Sequence, residues 1–349
     1  QISNKFIPNI LIEVMKVDKL ILVGIVLALI GCMKREPSDV VSISKSQLLV
    51  NNETYFIKGI CYHPVPQGST KRSFDLIDQD LSLMVEAGIN TIRVYEPIIS
   101  QEVLDKIWAA GLKVIISFGY DQEGTFDISS GTYLDYIEKY KSHPSILAWE
   151  LGNEYNYHPE WFDGDIKNWY QALNEAAAFI HEFDKSHPVA TAHGELPDDL
   201  ARSMCPNIDI WGMNVYRWDQ PTSIIEEWKK LSDKPMYFSE SGADSYMAIA
   251  KAGFEVGENQ RAQAVANANI IDEILKNAEH NTGLFIFSFT DGLWKAGNPN
   301  VQDVGGWAPN SSGVPYDGAP NEEYWGIVDI NRNKKLSFEV IKERFNKNQ

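Results

Sequence analysis

Two glutamates in this chain of 349 residues stand where chemistry is easiest to place, each directly after an apolar run. Glu154 closes Ala148-Trp149-Glu150-Leu151-Gly152-Asn153-Glu154, and Glu240 closes Met236-Tyr237-Phe238-Ser239-Glu240. A pair of carboxylates around one ligand can break a glycosidic bond. One gives a proton to the leaving oxygen, and the other, about 5 Å away, attacks the anomeric carbon. His63 and His193 also end apolar runs and are candidates to hydrogen-bond sugar hydroxyls. Other chemistries find little support. The 7 histidines show neither H-E-x-x-H nor a close pair at zinc spacing, so neither a metal nor a cofactor is expected. No G-x-S-x-G elbow supports a serine nucleophile, and no glycine-rich phosphate loop is present.

The elements that must carry these residues follow a rhythm. Apolar runs at 57–62, 91–95, 113–118, 146–151, 189–192, 208–216, 235–239 and 283–289 alternate with helix-period segments such as 74–87, 101–110, 169–183 and 260–278. Gly88 and Gly111 stand where helices stop. Eight such units predict an α/β protein, a single closed (β/α)8 barrel whose strand ends share one mouth. The fourth and seventh runs then lie nearly opposite, and their glutamates can reach one ligand. Strand alternation sets Glu150 below Glu154, where a basic or hydroxyl partner inside the barrel is expected. Ahead of the barrel, Gln47–Val50 and Tyr55–Lys58 flank Asn51-Asn52-Glu53-Thr54 and predict a short β-hairpin.

These motifs resemble those of the retaining (β/α)8 glycoside hydrolases of clan A, in particular the barrel domain of glycoside hydrolase family 2 and the fungal β-1,3-glucanosyltransferases. Asn153-Glu154 and Glu240 resemble the catalytic pair. Phe56-Ile57-Lys58-Gly59 and Ile89-Asn90-Thr91-Ile92-Arg93-Val94-Tyr95 resemble the first two strands, Asp209 to Tyr216 the sixth, and Phe238-Ser239-Glu240 the transferases' nucleophile strand. The likeness covers nearly all of 57–345. Within these 349 residues the chain departs from both groups, with neither family 2's preceding β-sandwiches nor the transferases' cysteine-rich extension. The resemblance implies Glu154 as general acid/base, Glu240 as nucleophile and Trp294 as the platform beneath the sugar. Arg93 and Tyr216 are then expected to orient Glu240, Asn153 to bond the sugar 2-hydroxyl, and Asn214 to belong to the same constellation. Trp161, Trp218 and Trp307 lie in strand-end loops, where packing and further sugar contacts are both open.

Composition fits such a ligand. A formal charge of -17 disfavours nucleic acid and anionic membrane surfaces, and 10 Trp with 15 Tyr supply rings for sugar faces. The chain opens with a basic segment, the apolar run Leu20–Ile30 and Leu29-Ile30-Gly31-Cys32, which resembles a bacterial lipobox. The expected organisation is upstream residues and a lipoprotein signal peptide over 1–32, a polar tether over 33–46 and the catalytic domain over 47–349. Cys32 would carry the lipid, giving an exported envelope protein attached to membrane only through that anchor. Cys61 and Cys205 are expected to be unpaired.

The expected activity is double displacement on a neutral β-linked glucan, with β-1,3 linkage favoured by the transferase likeness. The partner is an oligo- or polysaccharide. β-Mannan and β-galactoside are alternative substrates, and an oligosaccharide-capturing surface lipoprotein without catalysis is the alternative from another class.

Overall fold

The computed structural model describes residues 39–120, 126–217, 220–251, 253–307, 318 and 320–347. Cys32, the expected signal segment and Trp218 lie outside them. In chain order the strands are β1 (Val41–Ser44), β2 (Gln47–Val50), β3 (Glu53–Thr54), β4 (Ile57–Cys61), β5 (Thr91–Val94), β6 (Lys113–Phe118), β7 (Ile146–Asn153), β8 (Val189–Gly194), β9 (Ile210–Asn214), β10 (Met236–Ser241), β11 (Tyr246–Met247), β12 (Gly257–Glu258) and β13 (Gly283–Ile286). The helices are α1 (Ile77–Glu86), α2 (Gln101–Ala109), α3 (Tyr133–Tyr140), α4 (Ile166–Phe183), α5 (Asp199–Met204), α6 (Ser223–Leu231), α7 (Gln260–Lys276) and α8 (Leu336–Asn346).

Strands β4 to β10 and β13 close a parallel barrel in the ring order β10-β13-β4-β5-β6-β7-β8-β9, as the eight apolar runs predicted. The strands β6, β8 and β10 are buried along their whole length because both of their faces are covered. One face packs inward with Ile57, Ile115, Leu147, Ala190, Ile210, Tyr237 and Phe285. The other meets helices through Trp149, Trp211, Ile224, Ile271 and their neighbours. Side-chain caps start several helices: Ser100 accepts from the Val103 N–H, Asp165 from Lys167 and Asp198 from Ala201.

The N-terminal segment differs from expectation. Tyr55–Lys58 is not a hairpin arm, since Ile57 and Lys58 open β4 and pair with Gly283 and Leu284 of β13. The arm is Val41–Ser44, paired antiparallel with Gln47–Val50, and β3 extends this to three strands through a turn at Asn51-Asn52, both left-handed. The tether expected over 33–46 is thus part of the folded domain from Val41. The reason is the apolar alternation of Val41 and Ile43: Val41 and Leu48 join the barrel's inner cluster.

Four of the parallel ladders slip, β6 with β7, β7 with β8, β9 with β10 and β10 with β13, and two of these slips re-aim the functional candidates. Between β7 and β8, Glu150 pairs with Ala190 but Asn153 with Ala192, so β7 carries one extra residue. Between β10 and β9, Phe238 pairs with Met213 and Glu240 with Asn214, again one extra. Such bulges re-aim side chains. In β7 the cause is local: Gly152 sits at φ 71, and a Cβ there would come within 2.6 Å of the Trp169 ring. Glu154 follows at φ 56, also left-handed. Glu150 and Asn153 therefore share the inner face, and Glu154 turns over the rim.

Candidate active site

The site is built upward from Arg93. Its side chain is fully buried, and it ties its own strand, β5, to β7 and β10. Nε donates to both Glu150 oxygens at 3.0 Å, Nη1 to Glu240 Oε1 at 2.9 Å and Nη2 to Asn153 Oδ1 at 2.8 Å. The guanidinium also lies 4.7 Å from the Tyr95 ring centroid. Burial opposes its charge, but Glu150, Tyr95 and Glu240 outweigh that and hold its pKa above the ordinary arginine value. Glu150 is buried too and takes hydroxyl donors from Ser117 and Tyr237, both at 2.6 Å. It lies in the barrel interior, as expected, and does not line the cavity above.

Glu240 projects from the bulge of β10. It accepts from Arg93, from the Tyr95 hydroxyl at 2.6 Å on Oε1 and from the Tyr216 hydroxyl at 2.8 Å on Oε2. Three donors, Arg93 and Tyr95 from β5 and its end and Tyr216 from just past β9, fix this carboxylate in one orientation. Asn214 donates to Asn153 Oδ1 at 3.1 Å and accepts from Ser239 at 2.7 Å, and it also bonds the Glu154 side chain. With its oxygen occupied twice, Asn153 has its amide N–H groups left to offer a ligand.

Glu154 has a different environment. Its own N–H is tied to the Ala192 carbonyl at 2.8 Å. Burial pushes its carboxyl up to about 7, and the nearby Glu240 adds to the effect, while the Asn214 bond and Arg93 pull the other way without cancelling it. The two glutamates face one cavity of about 750 Å³, which also exposes Asn153, Asn214, Tyr95, Tyr216, His63 and Trp294. His63 lies 5.0 Å from Trp294, ring to ring, and its Nδ1 has no hydrogen-bond partner within the protein. Burial, then Arg72 and Lys295, lower the pKa of His63 to about 4, so it meets a ligand as a neutral imidazole. An acid that is protonated near neutrality, a fixed carboxylate and a flat ring around one hollow can protonate, attack and stack.

His193 is a correction. It does not line the cavity: its Nε2 lies 3.3 Å from the Tyr170 hydroxyl, its ring is 6.0 Å from Trp211, and Nδ1 lies 3.0 Å from the Gly194 carbonyl. Ala190 packs inward, so alternation along β8 turns His193 toward the helices. The remaining expected residues, Arg93 beneath and the others around it, come together at the mouth. Sequence reasoning missed Tyr95, although it lies two residues after Arg93 and so on the same face of the strand. It also missed Trp325, Tyr157, His158 and Glu195, which line the cavity from loops and have no periodicity to reveal them. Cys61 and Cys205 are buried and free, as expected.

Residues 121–255 match the family model described as glycosyl hydrolases family 2, TIM barrel domain, a span that includes both glutamates. Rat beta-glucuronidase is 24% identical over 336 residues, covering 87% of this chain and 46% of that protein. A 1,3-beta-glucanosyltransferase of Aspergillus fumigatus is 28% identical over 241 residues, covering 57% of this chain and 50% of its own length. Lactococcus lactis beta-galactosidase is 27% identical over 81% of this chain and 28% of that enzyme. Among solved structures, the GH2 beta-galacturonidase of Eisenbergiella tayi bound to galacturonate superimposes with TM-score 0.66 at 21% identity, over 88% of this chain and 54% of that one. The chain thus spans about half or less of the length of these relatives. The closed (β/α)8 barrel is thus similar to the barrel domain of family 2, and its relatives fall on both sides of the resemblance drawn from its motifs.

Replacing Arg93 by Met leaves two buried carboxylates without their cation. Loss of a partner from a buried pair costs about 3–5 kcal/mol, so urea unfolding of Arg93→Met is expected to shift by that much. A shift below about 1 kcal/mol, the range of exposed pairs, would contradict the network's role.

Proposed function

We propose that the chain is a retaining β-glycosidase or transglycosidase working on neutral β-linked glucans, with β-1,3 linkage favoured. Glu154 is the general acid/base and Glu240 the nucleophile. The observation that carries this reading is the asymmetry of the pair: one carboxyl is raised to about 7 by burial and by the other's charge, while the other is held by Arg93, Tyr95 and Tyr216. In the first step Glu240 attacks the anomeric carbon as Glu154 protonates the leaving oxygen. In the second, Glu154 takes a proton from water or a sugar hydroxyl, which displaces Glu240. Asn153 offers its amide to the 2-hydroxyl, Trp294 stacks beneath the ring, and His63 with its open Nδ1 meets a hydroxyl. Asn214 holds Asn153 and Glu154 in register.

A neutral sugar is supported by the charge of the wall. Glu154, Glu195, Glu240 and Glu322 line the cavity, and Lys295, its one lysine or arginine among the described residues, is paired with Glu322 at 2.9 Å. A uronate carboxylate would meet excess negative charge there, which separates this chain from relatives named for glucuronides and galacturonides. The β-1,3 preference rests on the transferase relative. The signal segment and Cys32 extend the reading to an exported, lipid-anchored enzyme. Cys32→Ser is then expected to move it from the membrane to the soluble fraction, and unchanged membrane association would contradict the anchor.

The chemistry is tested on a panel of β-1,3-, β-1,4- and β-1,6-linked glucans with mannan and galactoside controls, following the first-formed anomer by proton NMR. Retention with the β-1,3 substrate fastest is expected; inversion, or turnover of a uronide alone, would overturn the reading. Glu154 must carry its proton to act as acid, so kcat/KM is expected to fall as pH rises through about 7. That limb is expected to vanish in Glu154→Gln assayed with a leaving group that needs no proton.

A further inference from the structure

The wall formed by the loops after β7 and β8 carries groups that the two chemical steps leave unused. Tyr157 and His158 line the cavity just beyond Glu154, and Glu195 lines it from the end of β8. His158 stacks on Trp161 with ring centroids 4.0 Å apart and planes 7° apart, and Glu160 holds the imidazole through Nδ1 at 2.8 Å. Tyr157 and Trp161 remain 53% and 54% exposed.

Glu195 is fixed as firmly. Arg217 donates to its Oε2 through Nε at 2.9 Å and Nη2 at 2.6 Å, and is itself anchored to Glu227. The backbone of Glu195 is left-handed at φ 61, a conformation a non-glycine residue keeps only when its surroundings enforce it. The two loops are clamped together: Asn156 donates to the Gly194 carbonyl at 3.1 Å and accepts from its N–H at 2.8 Å. The Tyr157 ring rests on Gly194, where a Cβ would approach to 2.2 Å, so only glycine admits the ring.

Flat rings beside a fixed carboxylate are what a sugar needs, one for its C–H face and the other for a pair of hydroxyls. We propose that Tyr157, His158, Trp161 and Glu195 form a subsite for the sugar on the leaving-group side of the bond being broken, so that the protein takes a β-glucan chain and not only its terminal unit. This rests on the roles given above to Glu154 and Glu240. The placement follows from them: the proton donor must stand beside the leaving oxygen, and these residues share its loop and the adjoining one. In the ring order, β7 and β8 also lie diametrically opposite β13 and β4, the strands that Trp294 and His63 follow. The same subsite holds an acceptor. A sugar hydroxyl bound there attacks C1 of the glycosyl ester on Glu240, gives its proton to Glu154 and releases the Glu240 carboxylate.

The test compares wild type, Trp161→Ala, Trp161→Phe and Glu195→Gln on β-glucosyl fluoride, whose leaving group reaches no subsite, and on a β-1,3-linked glucotriose. The ratio of kcat/KM on the trisaccharide to that on the fluoride is expected to fall about tenfold or more in Trp161→Ala and Glu195→Gln and to recover in Trp161→Phe. Transfer to an added glucoside acceptor is expected to drop in parallel. Glu195→Gln is nearly isosteric and carries the test if Trp161→Ala folds poorly. Equal losses on both substrates would overturn the subsite while leaving the function intact. A wild type inert toward fluoride and trisaccharide alike would overturn the reading beneath it, and the subsite with it.

Discussion

A buried guanidinium shared between carboxylates of two strands is the constraint from which the rest of this site follows. Arg93 rises from β5 to meet Glu150 of β7 and Glu240 of β10, and it accepts the cost of complete burial because every donor finds an acceptor. Were any one of these strands displaced, a charge would be left unpaired in the interior. The barrel's register near its mouth and the orientation of Glu240 are therefore one problem with one solution. Asn153, Tyr95, Ser117 and Tyr237 complete the network and make it intolerant of partial change.

Against that fixed centre, Glu154 is set apart by backbone geometry. It makes no ion pair with Arg93, whose nitrogens are engaged with Glu150, Glu240 and Asn153. Gly152 and the extra residue in β7 lift it past the strand end into partial burial, close enough to Glu240 to feel its charge. Two chemically identical side chains thus acquire opposite aptitudes from surroundings alone. The bulge in β10 does the matching work on the other side by turning Glu240 toward the same hollow.

Much of this is legible in the residue order. Strands buried on both faces read as continuous apolar runs, so the eight of them, and the glutamates that end two of them, stand out without any structure. Alternation also contained what was overlooked: it puts Tyr95 on the face of Arg93, and counting from Ala190 it sends His193 outward. The bulges are another matter. A glycine at 152 permits a left-handed turn without announcing one, and simple alternation would have set Glu154 rather than Asn153 in line with Glu150. Tyr157, Trp161 and Glu195 sit in loops, where position is decided by contacts such as Asn156 with Gly194 that no period encodes. The N-terminal strands misled for a similar reason, because Val41–Ser44 and Tyr55–Lys58 alternate equally well and only pairing with β13 separates them.

The central claim is that Glu240 forms the covalent bond to sugar, and it can be observed directly. The protein is incubated with 2-deoxy-2-fluoro-β-glucosyl fluoride, which forms the glycosyl ester and releases it slowly; the intact mass is then measured and the digested peptides are sequenced. One fluoroglucosyl group on Glu240, with activity lost in step, is the expected result. A label on another residue, or none in a protein that turns over the unsubstituted fluoride, would contradict the account.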